Sequence, residues 1–155
     1  MISIGMETAV NTGTSNTKPK PDVSSCTIAI ADDHFELREA LTGLLTTLGY
    51  DVVISAENGK ELLEHIEKAE QLPDICIVDV VMPVMDGYET AKELKKRWPA
   101  IKVLAFSFRK EKWAGKGMVR KGADVYLQKD AHPQILHATL QILYKSILSN
   151  RAEIS

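Results

Sequence analysis

One stretch constrains this chain more than any other: a four-residue apolar run, Ile75 to Val78, that stops on a carboxylate, Asp79. The run shows no alternation of polar and apolar residues, so it reads as a strand buried on both faces, the pattern of a parallel sheet. Pro83 and the pair Asp86-Gly87 then turn the chain out of the sheet. Asp86 with Glu89 three residues later has the spacing of a capped helix start. Strand, acid, loop and helix in that order is where open α/β sheets place their chemistry, at the carboxyl ends of the strands. An acid in that position also serves as a turn former or a helix cap, so Asp79 alone decides nothing.

A second apolar run, Cys26 to Ala31, also ends on acid, at Asp32 and Asp33. Side by side in a parallel sheet, the two strand ends would gather three carboxylates at one rim. Such a cluster repels itself unless a cation or protons neutralise it. Hard oxygen donors, few in number and partly open to water, suit Mg²⁺.

The rest of the chain supplies the sheet and its cover. Leu37, Leu41, Leu44, Leu45 and Leu48 recur at helical spacing and end at Gly49, with Asp33 and Glu36 as an expected capping box. Asp51 to Ala56 reads as a second strand. Asn58 with Glu61 starts a second helix whose stripe includes Leu62, Leu63 and Ile66, leaving His65 on the surface. A third helix turns Ala91, Leu94 and Trp98 inward and stops at Pro99. Ile101 to Phe106 is the fourth strand, followed directly by Ser107.

Arg109 to Lys121 is the weakest helical segment, because Gly115 and Gly117 each cost about 1 kcal/mol relative to Ala. It is also basic, and Trp113 is its single aromatic residue; a solvated charged face is the simpler reading of it than a nucleic-acid site. Ala123 to Gln128 is the fifth strand, with Tyr126 near its end and Lys129 just beyond. Pro133 opens a final helix carrying Ile135, Leu136, Leu140, Leu143 and Ile147 inward. Five strands alternating with five helices set the class as α/β, a parallel sheet with helices on both faces. The flavodoxin-like order 2-1-3-4-5 would put the first and third strands together and so unite Asp32, Asp33 and Asp79.

The 155 residues suffice for one ordinary domain, and a net charge of −2 gives no bulk reason to expect nucleic acid or an acidic membrane surface as partner. Three segments are expected: a disordered tail over residues 1–25, a folded domain over 26–149 and a short tail over 150–155. The amino-terminal segment is rich in Thr, Ser and Asn and has no apolar run suited to a signal peptide or membrane span. Cys26 and Cys76 fall in buried strands without metal-type spacing, as expected of small core residues in a reducing cytoplasm.

Four motifs in order carry a resemblance to the receiver domains of two-component response regulators: Asp32-Asp33, Asp79 in DVVMPVMDG, Ser107 in VLAFSF and Lys129 in VYLQKDA. The resemblance covers about Thr27 to Leu148, and the variants at Asp32 to His34 and Lys129 to Ala131 look most like LuxR-type regulators. It implies that Asp79 accepts a phosphoryl group from a histidine kinase or a histidine phosphotransfer protein. It further implies a Mg²⁺ ion held by Asp33 and Asp79, by Asp32 through water, and by the backbone carbonyl of Val81. Ser107 and Lys129 would then contact the phosphate, with Ser107 and Tyr126 forming the switch that reshapes the face of helix four, strand five and helix five. A downstream protein, or a phosphorylation-dependent homodimer, would read that face.

The chain departs from the family at Phe108, where a small residue is usual and a ring is expected to narrow access to Asp79, and at Val81, where many relatives have a polar side chain. Such a protein is a phospho-acceptor rather than a turnover enzyme. A flavodoxin-type redox protein would need a phosphate loop where Asp32 and Asp33 stand. A phosphatase working through an aspartyl phosphate would usually need a second acid where Val81 stands. A DNA-binding regulator would need more chain after the last helix, so the alternative to a stand-alone receiver is the receiver portion of a longer regulator.

Overall fold

The computed structural model of the chain describes Pro19 and residues 22–109 and 112–154. Most of the expected disordered tail, and Lys110, therefore lie outside the described residues. Five strands and five helices alternate: β1 (Thr27–Ala31), α1 (Phe35–Thr47), β2 (Asp51–Ala56), α2 (Gly59–Lys68), β3 (Ile75–Val78), α3 (Gly87–Arg97), β4 (Lys102–Ser107), α4 (Lys112–Lys121), β5 (Val125–Gln128) and α5 (Pro133–Ile154). The sheet order is β2-β1-β3-β4-β5 with every pair parallel, as expected from the sequence.

Alternation along the strands divides the core into two layers. Ile28, Ile30, Ile75, Ile77 and Leu104 pack with α1 and α5, against Leu41, Leu45, Leu136, Leu140 and Ile147. Ala29, Ala31, Cys76, Val78, Val103 and Ala105 face the other way, toward Leu62, Leu63, Ile66, Ala91, Leu94 and Met118 of α2, α3 and α4. Burial raises the thiols of Cys26 and Cys76 to about 12, as suits core residues.

Local signals explain most boundaries. Asn58 and Asp86 each accept a bond from the backbone N–H three residues on, at 3.0 and 2.9 Å. Gly49, at φ +97°, ends α1: its N–H donates to the Thr46 carbonyl and that of Tyr50 to Leu45, a Schellman closure.

Several expectations need correction. The N-cap of α1 is His34, not Asp33, and its side chain makes no capping bond. Leu37 and Ile135 are exposed, and Arg38 takes the buried position on α1 instead. The fourth helix begins at Lys112 rather than Arg109, and β4 includes Ser107. Val23 is buried against the core, so packing starts before residue 26. At the other end α5 runs past 149 to Ile154, where Arg151 Nη2 lies 2.5 Å from the buried carboxylate of Asp74. The ion pair ties a turn that had been expected as tail to the foot of β3.

Gly115 and Gly117 have a packing role that composition did not reveal. A Cβ on Gly115 would stand 3.3 Å from the Tyr126 ring, and one on Gly117 would stand 2.9 Å from the ring of Tyr88. Their absent side chains seat two aromatic rings, which offsets their poor helix propensity.

Gly87 holds the loop after β3 against the sheet. Its N–H donates to the Val80 carbonyl at 2.8 Å, and a Cβ there would lie 2.3 Å from the Asp79 carbonyl oxygen. Gly87→Ala is expected to cost about 1–3 kcal/mol, the range for overpacking. A urea melt checks it, and an unchanged midpoint would mean the loop has slack.

Candidate functional site

Three candidate side chains hang from strand ends locked by one further backbone bond. The N–H of Asp32 donates to Ala56 at 3.1 Å, that of Asp79 to Ala31 at 2.9 Å, and that of Lys129 to Ser107 at 2.9 Å. The ladder thus continues one residue past β1, β3 and β5, bringing residues 97 positions apart to one rim.

At that rim Asp32 and Asp79 are only 4% and 6% exposed. The ammonium of Lys129 donates to Asp32 Oδ2 and lies 3.4 Å from Asp79 Oδ2. Two carboxylates that close and that dry require a shared cation, and Lys129 provides it. Burial pushes the Asp79 carboxyl above its ordinary range; Lys129 opposes the shift and the neighbouring Asp32 reinforces it. Asp33 is the outer carboxylate, its side chain 32% exposed.

An open cavity of about 690 Å³ sits over these groups, lined by Asp33, His34, Asp79, Val81, Ser107, Phe108, Arg109 and Lys129. Every residue expected at the reaction centre therefore borders one space, except Asp32, which is buried and paired with Lys129. Val81 is half exposed there. Ser107 is buried, and its Oγ accepts a bond from the Arg109 N–H at 3.3 Å. The Phe108 ring stands at the mouth with Lys129 Nζ 5.3 Å from its centre, a cation–π distance. Tyr126, expected behind Ser107, is half-buried and donates its hydroxyl to the Arg109 carbonyl at 2.6 Å. It thus ties β5 to the loop that follows Ser107.

Two neighbours were missed from sequence. His34 Nδ1 lies 3.3 Å from both Asp32 Oδ1 and Asp33 Oδ1; its place directly after two rim acids was the available signal. Arg38 donates through Nε to Ser55 Oγ at 2.9 Å and through Nη1 to the Asp32 carbonyl, holding the acidic turn from below. Its spacing with Leu41 and Leu45 marks it as inward-facing. Ligand atoms of Asp32, Asp33, His34 and Asp79 all lie within 4.8 Å of one another, and this oxygen-rich set, open on one side, fits a hard divalent cation.

Comparison with known proteins agrees with this geometry. The family model for the response regulator receiver domain matches residues 28–141. The chain is 30% identical over 117 residues to the transcriptional regulatory protein DegU of Brevibacillus brevis, covering 75% of this chain and 49% of DegU. It is 36% identical over 104 residues to the transcriptional regulatory protein LnrK of Bacillus subtilis, covering 66% and 46%. The chain thus spans about half the length of these relatives. Among solved structures, the Francisella response regulator 1452 receiver domain superposes with a TM-score of 0.70 at 26% identity, covering 78% of this chain and 98% of that one. The Vibrio cholerae chemotaxis protein CheY4 superposes with a TM-score of 0.69 at 28% identity, covering 76% and 98%. With the strand order, the acidic rim and the lysine in place, the chain belongs to the response regulator receiver family.

Proposed function

We propose that this protein receives a phosphoryl group on Asp79 from a phosphohistidine donor, a histidine kinase or a histidine phosphotransfer protein, and relays the event through the α4–β5–α5 face. The observation that carries the reading is the buried, lysine-paired carboxylate of Asp79 facing an open cavity beside two further acids. In the transfer, an Asp79 carboxylate oxygen bonds to phosphorus as the donor's N–P bond breaks, and the electron pair leaves with the imidazole, which takes up a proton. Mg²⁺ bound through Asp33, Asp79, the Val81 carbonyl and, by way of water, Asp32 would supply the positive charge that the phosphoryl oxygens need. Lys129 adds a point charge on the other side, and the Ser107 hydroxyl, next to the cavity, can donate to a phosphoryl oxygen. Raised basicity of Asp79 suits it as a nucleophile.

Relay follows from what Ser107 gives up. Its Oγ now accepts from the Arg109 backbone, whose carbonyl accepts from Tyr126. Recruiting Ser107 to the phosphate perturbs that loop, and Tyr126 sits against Gly115 of α4. A ligand shifts an equilibrium only by its differential affinity for the two states, so phosphate must hold Ser107 and Lys129 better in the signalling packing. Trp113, Val119 and Ile142 are exposed on α4 and α5 and offer apolar contact to a downstream protein or a second copy. The role is that of a phospho-acceptor, not a turnover enzyme. No described helix is long and apolar enough to cross a membrane.

Incubation with acetyl phosphate and Mg²⁺ is expected to add one acid-labile, hydroxylamine-sensitive phosphoryl group, and peptide mapping should place it on Asp79; label on another residue overturns the assignment. Phe108→Ala is expected to speed that labelling severalfold by opening the mouth. An equal rate would mean that the ring, held over Lys129, leaves small donors a free path.

A further inference from the structure

His34 begins α1 as its N-cap yet makes no capping bond with its side chain. Its position is fixed another way: the backbone N–H donates to Asp32 Oδ1 at 2.9 Å. The ring is turned back over the acids, with Nδ1 3.3 Å from a carboxylate oxygen of both Asp32 and Asp33. The side chain is 60% exposed and lines the same cavity as Asp79, so it keeps room to adjust.

From this geometry we infer that His34 is a nitrogen ligand in reserve, which makes the acidic rim a site for borderline divalent cations such as Co²⁺ and Zn²⁺ as well as Mg²⁺. The four donor atoms lie within 4.8 Å of one another. Ligands about 2.1 Å from a common ion stand at most about 4.2 Å apart, so small side-chain rotations bring Asp33, His34 and Asp79 onto one centre, with Asp32 acting through water. Mg²⁺ prefers oxygen and gains little from an imidazole, whereas Co²⁺ and Zn²⁺ gain much. The same rim thereby acquires a selectivity that an all-carboxylate rim lacks. The consequence is that the cation present, and not only the phosphodonor, sets the state of the site. This inference rests on the acidic rim being the metal site of the proposed function.

Calorimetric titrations of Mg²⁺ and Co²⁺ into the full chain, its His34→Ala and His34→Asn variants and Asp33→Ala test it, with circular dichroism to verify folding. Asn keeps a good helix cap while removing the imidazole. The parent's preference for Co²⁺ over Mg²⁺ is expected to fall about tenfold or more in both His34 variants, the scale on which altering a metal's ligand environment acts. The visible absorption of bound Co²⁺ should change as nitrogen is lost. An unaltered preference and spectrum in both variants overturns the inference. Asp33→Ala separates the two levels: if it weakens Mg²⁺ and Co²⁺ alike, the rim is the metal site whatever His34 does. If it weakens neither, the rim assignment itself fails, and with it the role of His34.

Discussion

Asp79→Asn is expected to abolish phosphoryl labelling and, without Mg²⁺, to make the protein more stable at neutral pH. The first effect follows from chemistry, since the neutral amide is not a competent nucleophile for phosphorus. The second follows from the buried charge. A carboxyl whose pKa is higher in the fold than in the unfolded chain binds its proton more tightly when folded. Its contribution to stability is therefore fully present below the unfolded value, about 3.9, and is lost as pH rises through the higher folded value. Asp79 is raised, chiefly by burial, so at neutral pH its ionised form weighs against the fold. Asn removes that burden, and Lys129 keeps Asp32 as a partner. Thermal melts from pH 3 to 8 should show the variant several degrees above the parent at the alkaline end, with the curves converging toward acid. Saturating Mg²⁺ should close the gap by binding the parent more tightly. Parallel curves across the range, or label persisting in the variant, would sink the account of Asp79 as both strained acid and nucleophile.

The division between what sequence revealed and what it hid follows from range. The runs Asp51–Ala56 and Ile75–Val78 match β2 and β3 residue for residue, because each is a short apolar or β-branched segment bounded by clear turn residues. The caps at Asn58 and Asp86 also stand as read, since a cap involves only residues three apart. At the start of α1 two acids and a histidine compete for one cap, and the tertiary pull of the rim decides: Asp32 accepts the His34 N–H and the helix starts a residue late. Leu37 and Ile135 were misplaced because each helix carries more apolar residues than its buried stripe can hold. The glycines of α4 read as weakness because Tyr88 and Tyr126, the rings they seat, come from other elements. Arg151 has its meaning only through Asp74, 77 positions away. Asp32, Asp33, Asp79, Ser107 and Lys129 were legible for the opposite reason: a parallel sheet fixes where strand ends go, so motifs at strand ends locate themselves.

Lys129→Met is expected to lower stability by about 3–5 kcal/mol at neutral pH, the usual cost of breaking a buried ion pair by removing one partner. Lys129, Asp32 and Asp79 have side chains 6%, 5% and 7% exposed, so water cannot take over the lost role. Methionine keeps most of the apolar stem and loses the ammonium, with its cation–π contact to Phe108, which assigns the loss to charge rather than to a cavity. The loss should shrink in acid, where Asp79, its carboxyl raised by burial, takes up a proton and no longer repels Asp32. It should also shrink with added Mg²⁺, because a bound dication replaces the missing ammonium and stabilises the fold by mass action. Urea melts at pH 4 and pH 7.5, each with and without Mg²⁺, separate these effects. A variant within about 1 kcal/mol of the parent at pH 7.5 without metal would mean that water or side-chain rotation already relieves the acidic pair. In that event Lys129 contributes to the phosphorylated state alone. The expected result instead makes it a resident counter-ion, holding Asp32 and Asp79 together until a metal and a phosphoryl group arrive to share its work.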